Sequence, residues 1–290
     1  MDEPKPAARS APLTALTVLT ALAMLAFAGN SLLCRLALKG TRIDAATFTF
    51  ARIASAALVL WLILAARGGD ARRAGSWASA AMLTLYAVAF SYAYVGLPAG
   101  AGALLLFGAV QATMIGYGLF RGERLAARQW LGLAFALAGL VWLVLPGLAA
   151  PQPISSALMI VAGVGWGVYS LRGRGLADPV TATAGNFLRA FPIAAAVFAL
   201  AQTHTTFDAA GLGYAVASGA ITSGLGYVAW YAALKGLKPA TAATVQLSVP
   251  VIAAAGGVAL LGEALTVRLF ISSAAILGGI ALVVLSRGRR

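Results

Sequence analysis

The sequence predicts an all-α membrane protein. Ten transmembrane helices form two inverted five-helix repeats around a central cavity, with both termini cytoplasmic. Three observations predict this. Apolar residues make up 61% of the 290 residues and charged residues 10%, against roughly 45–50% and 25% in a soluble domain. Residues 88–145 overlay residues 228–285 without a gap, pairing Gly96-Leu97 with Gly236-Leu237 and Gly122-Glu123 with Gly262-Glu263. The positive charges are distributed unequally between alternate connections.

An apolar helix needs about 20 residues to cross a bilayer. Ten runs approach or exceed this length: 13–34, 44–66, 76–97, 99–120, 129–146, 154–171, 179–201, 208–234, 239–261 and 267–286. Their connections are a few residues long and leave no room for a soluble domain. The chain divides into a tail (1–12), a first repeat (13–150), a second repeat (151–286) and a short final tail (287–290). The first apolar run lacks a small-x-small cleavage site, so no removable signal peptide is expected.

With the amino terminus inside, Lys5, Arg9, Arg67, Arg72, Arg73, Arg121, Arg124, Arg128, Arg172, Arg174, Lys235, Lys238, Arg287, Arg289 and Arg290 are cytoplasmic. Only Arg35, Lys39, Arg42 and Arg268 fall on the other side. This is the positive-inside pattern. The net charge of +13 therefore reports topology and contact with anionic lipid heads, and no nucleic-acid partner is expected. Five helices per copy is an odd number, so the second copy enters the membrane from the opposite side. Inverted repeats are a construction of secondary transporters, with the site where the halves meet.

The Gly-Glu pairs closing the fourth helix of each half and the Arg in each second helix (Arg52, Arg189) resemble the EamA family of the drug/metabolite transporter superfamily. The family often places a Pro in its fourth and ninth helices; here it is Pro250, with Val110 as the first-half counterpart. A Trp common in each half's opening helix is Trp166, where the first half has Phe27-Ala28-Gly29-Asn30. The resemblance implies export or exchange of small metabolites across a bacterial inner membrane. Amino acids are the commonest cargo, and drugs or nucleotide sugars are alternatives. A scaffold or receptor without transport is the reading from a different class.

Arg52 and Arg189 are expected to be the only ionised side chains inside spans. A mid-membrane charge costs at least ~2.5–3.5 kcal/mol, so each should face a polar interior. Either attracts a substrate carboxylate or locks neighbouring carbonyls, and symmetric placement favours the structural role. Tyr86, Phe90 and Tyr94 form one stripe at spacing four, and Tyr227, Trp230 and Tyr231 another. Phe90, Tyr227 and Trp230 are the candidates for an aromatic cavity wall. Asn30, Gln111, Asn186 and Gln246 are polar residues within spans that need partners. Asn30, Trp166 and Gln246 join the candidate substrate contacts. Pro250 frees the carbonyl of Gln246 one turn back, which makes it a candidate hinge.

Neither cofactor nor metal is expected. His204 stands without Asp, Cys or a second His nearby, and Cys34 is the lone cysteine. The spans hold no nucleophile with an oriented base, so an enzyme is not expected. The expected partners are a small-molecule substrate and the lipid bilayer, with monomer and homodimer both open.

Overall fold

A computed structural model describes residues 13–147, 150–174, 176–201, 206–237 and 239–286. Both tails and His204 lie outside the described residues. Every described element is helical. The first half comprises α1 (Leu13–Gly40), α2 (Ala45–Ala66), α3 (Trp77–Gly96), α4 (Ala99–Phe120) and α5 (Ala127–Val144). The second comprises α6 (Pro153–Gly173), α7 (Pro179–Leu200), a run from α8 (Ala209–Ala217) through a π-helical segment (Ser218–Leu225) to α9 (Gly226–Leu234), then α10 (Pro239–Gln246), α11 (Ser248–Leu261) and α12 (Val267–Ser286). Nine helical stretches among the described residues are long and apolar enough to cross a membrane. The apolar run 209–234 is the tenth, divided by its π segment.

Polar residues start these helices and glycines stop them. Asp44, Ser76, Asp178 and Asp208 are N-caps whose side chains accept backbone N–H groups in the first turns of α2, α3, α7 and α8. Three of the chain's few acids, Asp44, Asp178 and Asp208, thus sit at helix starts. Gly122 and Gly262 take left-handed φ values of 86° and 61°, which end α4 and α11 as only glycine does without strain. The next N–H, of Glu123 or Glu263, returns to the carbonyl of Gly118 or Gly257. Each Glu carboxylate then folds over that same glycine, in the space a side chain would fill.

The two halves interleave. α1 runs antiparallel along α8–α9: Ile43 meets Gly211, Asn30 meets Ser218, and Leu16 meets Gly236. α6 packs the same way on α3, where Gln152 meets Gly96, Gly165 meets Tyr86 and Arg172 meets Ser79. Each half's opening helix therefore binds the other half's third. At the periphery α5 and α12 lie antiparallel, with Gln129 Nε2 donating to the Val283 carbonyl and Gly132 facing Gly279. Their outer faces carry exposed Trp130, Phe135, Trp142, Phe270 and Leu285, as lipid contact requires.

Three boundaries differ from the sequence expectation. α1 continues past residue 34 to Gly40, because Arg35 turns inward and finds a carboxylate. Arg52 and Arg189 are therefore not the only charges carried within helices. The run 208–234 contains a π-helical segment in place of a uniform α-helix. The run 239–261 breaks at Leu247, one turn before Pro250, where the ring excludes the helical carbonyl.

The α5–α12 seam has a one-methyl test. A Cβ on Gly279 would strike Gly132 and Ala136, whereas one on neighbouring Gly278 meets nothing within 4 Å. Gly278→Ala is expected to stabilise slightly, by up to ~1 kcal/mol of helix propensity. Gly279→Ala is expected to destabilise by about 1–3 kcal/mol through overpacking. Thermal unfolding in detergent checks the opposite signs.

Candidate functional site

The centre of the molecule holds a chamber of about 20 Å³, room for about one water. Phe27, Asn30 and Ser31 of α1, and Tyr86 and Phe90 of α3, form part of its wall. Leu106 and Phe107 of α4, Trp166 of α6, Thr222 of the π segment and Tyr227 of α9 complete it. The sequence pattern explains the convergence: spacings of three and four put Tyr86 and Phe90 on one face, and Asn30 one turn from Phe27.

A hydrogen-bond chain crosses the chamber wall. Arg52 Nη2 donates to the Tyr86 hydroxyl at 2.9 Å, and Asn30 Nδ2 donates to the same oxygen at 3.1 Å. Asn30 Oδ1 accepts from the hydroxyls of Ser218 at 2.7 Å and Thr222 at 3.3 Å. Arg52 Nε donates to Ser223 Oγ at 3.3 Å. The π segment supplies all three hydroxyls. Its wide turns shift their register within an otherwise regular span, a feature frequent at functional sites. The guanidinium carbon lies 5.1 Å from the Tyr86 ring centre and 5.0 Å from that of Phe90. Arg52 is 2% exposed, and its Nη1 has no hydrogen-bond partner among the described residues.

Arg189 does something else. It donates to the carbonyls of Arg72, Ala74 and Gly185, tying α7 to the 3₁₀ turn Ala71–Arg73. Arg189 thus locks neighbouring carbonyls, as a structural arginine does, whereas Arg52 is bonded to side-chain hydroxyls.

At the end where α3 and α7 begin, a vestibule of about 370 Å³ opens beside Arg172. Ser76, Ser79, Tyr169, Thr183, Asn186 and Tyr231 contribute to its lining. Arg72 and Arg73 lie in the turn preceding α3, which makes this the basic end. Asn186 accepts from the Ser76 N–H and donates weakly to the Tyr169 hydroxyl, at 3.4 Å. Trp166 stacks on Tyr169 with centroids 5.3 Å apart and meets Tyr227 at 5.2 Å. Trp166 of α6 and Tyr227 of α9 line the chamber, while Tyr169 of α6 and Tyr231 of α9 line the vestibule, so these four rings lie between the two cavities.

The opposite end is pinned. Arg35 Nε lies 3.1 Å from Glu263 Oε1, and the two side chains are 11% and 8% exposed. Arg35 Nη1 donates to the carbonyls of Tyr94 and Val95, while Glu263 Oε2 accepts from the Ala99 N–H. The pair thereby joins α1, the α3–α4 corner and the end of α11. Nearby, Asp44 accepts the Thr206 N–H and Asp208 accepts the Arg42 N–H. Burial pushes the Asp44 carboxyl up, but the Thr47 hydroxyl and three backbone N–H groups outweigh it and hold the carboxyl below its ordinary value. The Gly211 and Arg42 N–H groups do the same for Asp208.

Of the residues singled out from sequence, Asn30, Phe90, Trp166 and Tyr227 meet at the chamber. Trp230 does not reach it; it packs edge-on behind Phe27, with ring centres 5.8 Å apart. Gln246, the last residue of α10, lines neither cavity. Pro250 faces an apolar groove between α11 and α12. Sequence reasoning missed Ser218, Thr222, Ser223, Tyr169 and the Arg35–Glu263 pair. The run Ser218-Gly219-Ala220-Ile221-Thr222-Ser223 was the available signal, three hydroxyls within one apolar span.

Comparison with known proteins agrees with this architecture. An uncharacterized protein of Pseudomonas aeruginosa is 55% identical over 271 residues, covering 93% of this chain and 94% of its own. The model of the EamA-like transporter family matches residues 154–285. The chain belongs to the EamA-like transporter family. As such it is a multi-pass membrane protein of the drug/metabolite transporter superfamily. A solved crystal structure shares the fold, with a TM-score of 0.67 at 19% identity over 94% of this chain and 99% of that one.

Cys34 lies between the chamber and the pinned end and is fully buried, so this EamA-like chain carries its own reporter. Glu263→Gln is expected to accelerate alkylation of Cys34 by a membrane-impermeant maleimide. A shift of about 1.4 kcal/mol toward an open end gives about tenfold. Mass spectrometry of timed samples reads the rate.

Proposed function

We propose that the protein is a secondary transporter of the bacterial inner membrane. In this reading it exports or exchanges small metabolites, foremost amino acids including aromatic ones, by alternating access. The observation that carries the reading is a closed chamber of polar and aromatic side chains. A ring partition separates it from a vestibule at one end, and a buried ion pair closes the other.

The two sequence halves act as inverted repeats with both termini cytoplasmic. The antiparallel α5–α12 seam and the matched pairings of α1 with α8–α9 and of α6 with α3 support that layout. The positive-inside distribution makes the basic end cytoplasmic. The vestibule then faces the compartment from which an exporter loads.

At about 20 Å³ the chamber is far below the ~300–1,000 Å³ of ordinary ligand pockets, so substrate requires it to expand. Moving Trp166 and Tyr227 away from Tyr169 joins chamber to vestibule. Breaking Arg35–Glu263 while that partition holds opens the other side. Asn30, Phe90, Trp166 and Tyr227 line the path of the substrate. Trp230 backs Phe27, and Pro250 hinges the α10–α11 break.

Purified protein in liposomes preloaded with unlabelled amino acids is expected to accumulate labelled amino acid by exchange. Trp166→Ala should lower the rate about tenfold, equivalent to ~1.4 kcal/mol, while Arg268→Ala, at the periphery beside Trp142, leaves it near wild type. Absence of flux for every amino acid tested, with folded protein, would refute the reading.

A further inference from the structure

We infer that the obligatory group of the substrate is a carboxylate received by Arg52, and that an amino group is dispensable. The substrate class is then monocarboxylates with an apolar or aromatic body, of which amino acids are a subset. The inference rests on the transporter reading above and narrows its cargo.

The first support is the unmet charge. Arg52 is 2% exposed with Nη1 unpartnered among the described residues, and its bonds go to the neutral hydroxyls of Tyr86 and Ser223. The buried carboxylate of Glu263 is already taken by Arg35 and the Ala99 N–H. An intramembrane cation without a counter-charge among the described residues marks a functional position.

The second is position. The chamber must expand to admit any metabolite, and Tyr86 and Phe90 are wall residues lying over the guanidinium at 5.1 and 5.0 Å. A substrate that displaces these rings takes their place against Arg52. An anionic group there replaces a cation–π contact by a charge-assisted hydrogen bond, the stronger interaction.

The third is what is missing from the lining. Neither the chamber nor the vestibule includes an Asp or Glu, while the vestibule presents Arg172. An approaching anion meets Arg172 in the vestibule, and behind the Tyr86 and Phe90 wall of the chamber lies Arg52. A substrate ammonium would find no carboxylate in either lining, and Asn30 Oδ1 already accepts the Ser218 hydroxyl at 2.7 Å.

The test is competition against exchange of the fastest-moving labelled amino acid in proteoliposomes. Two competitors are compared: the same compound lacking its amino group, and the same compound with its carboxylate converted to carboxamide. In wild type the deamino acid is expected to compete within a few-fold of the parent and the carboxamide at least tenfold more weakly. Arg52→Gln should abolish that preference, and Arg52→Lys should retain it in part. A purely structural Arg52 would lower flux without changing the ratio between the competitors. Equal competition by carboxamide and deamino acid in wild type, failure of the deamino acid to compete, or an unchanged ratio in Arg52→Gln overturns the inference while leaving transport intact. Absence of any wild-type flux instead refutes the transporter reading itself. Should Arg52→Gln fail to elute as a folded species, the wild-type competition and Arg52→Lys decide.

Discussion

The organisation of this EamA-like protein depends on satisfying a buried guanidinium where water is scarce. Arg52 reaches Tyr86, Tyr86 accepts Asn30, and Asn30 accepts Ser218 and Thr222. The chain connects α2, α3, α1 and the π segment, so it stitches the first half of the sequence to the second. In a low-dielectric interior such a network strengthens each of its bonds and makes any missing member expensive. That constraint explains why small residues surround it. Gly219 lets the π segment approach the Arg52 carbonyl, Gly226 admits Ala26, and Gly165 lies against the Tyr86 backbone.

The π segment is the local price of this arrangement. Ser218 and Thr222 both reach Asn30, and Ser223 must still turn toward Arg52. A π turn is wider than an α turn, which spreads three hydroxyls over the two targets. The single Thr222 hydroxyl proton is shared between the Ser218 carbonyl at 2.6 Å and Asn30 Oδ1 at 3.3 Å. Local irregularity thus lies where the polar network lies, as expected when a site and not the scaffold dictates the backbone.

Much of the fold was legible because hydrocarbon imposes a simple rule: long apolar runs, polar ends, and charge on one side. Asn30, Phe90, Trp166 and Tyr227 were legible for the same reason, being polar or aromatic within runs that otherwise carry aliphatic and small residues. The rest depended on contacts across long sequence separations. Arg35 read as a helix end because charge normally marks one, and only Glu263, distant in sequence, makes it an interior residue. Trp230 shares its helix face with Tyr227, yet Phe27 from α1 stands in front of it. Gln246 owed its prominence to Pro250, but a proline fixes where a helix breaks and not which way the broken ends point.

Arg52 and Arg189 stand at matching places in the two halves of the sequence but are held in unlike ways. Both arginines occupy the second helix of their half, but Arg189 spends its donors on the carbonyls of Arg72, Ala74 and Gly185. Its charge therefore stays at the rim, where it fixes the turn before α3. Arg52 has aromatic rings and two hydroxyls in place of a carbonyl cradle, and one nitrogen is left over. The partners decide the difference: Tyr86, Phe90 and Ser223 converge on the centre, whereas the 71–74 turn lies at the basic end. Two copies with equal partners would place equal charges at equal depth, and their central cavity would present the same chemistry to both halves. Unequal partners leave one cation near the middle and one at the edge. On the proposed transport reading, the central cation anchors the charged end of a small ligand while the rings cover its apolar end.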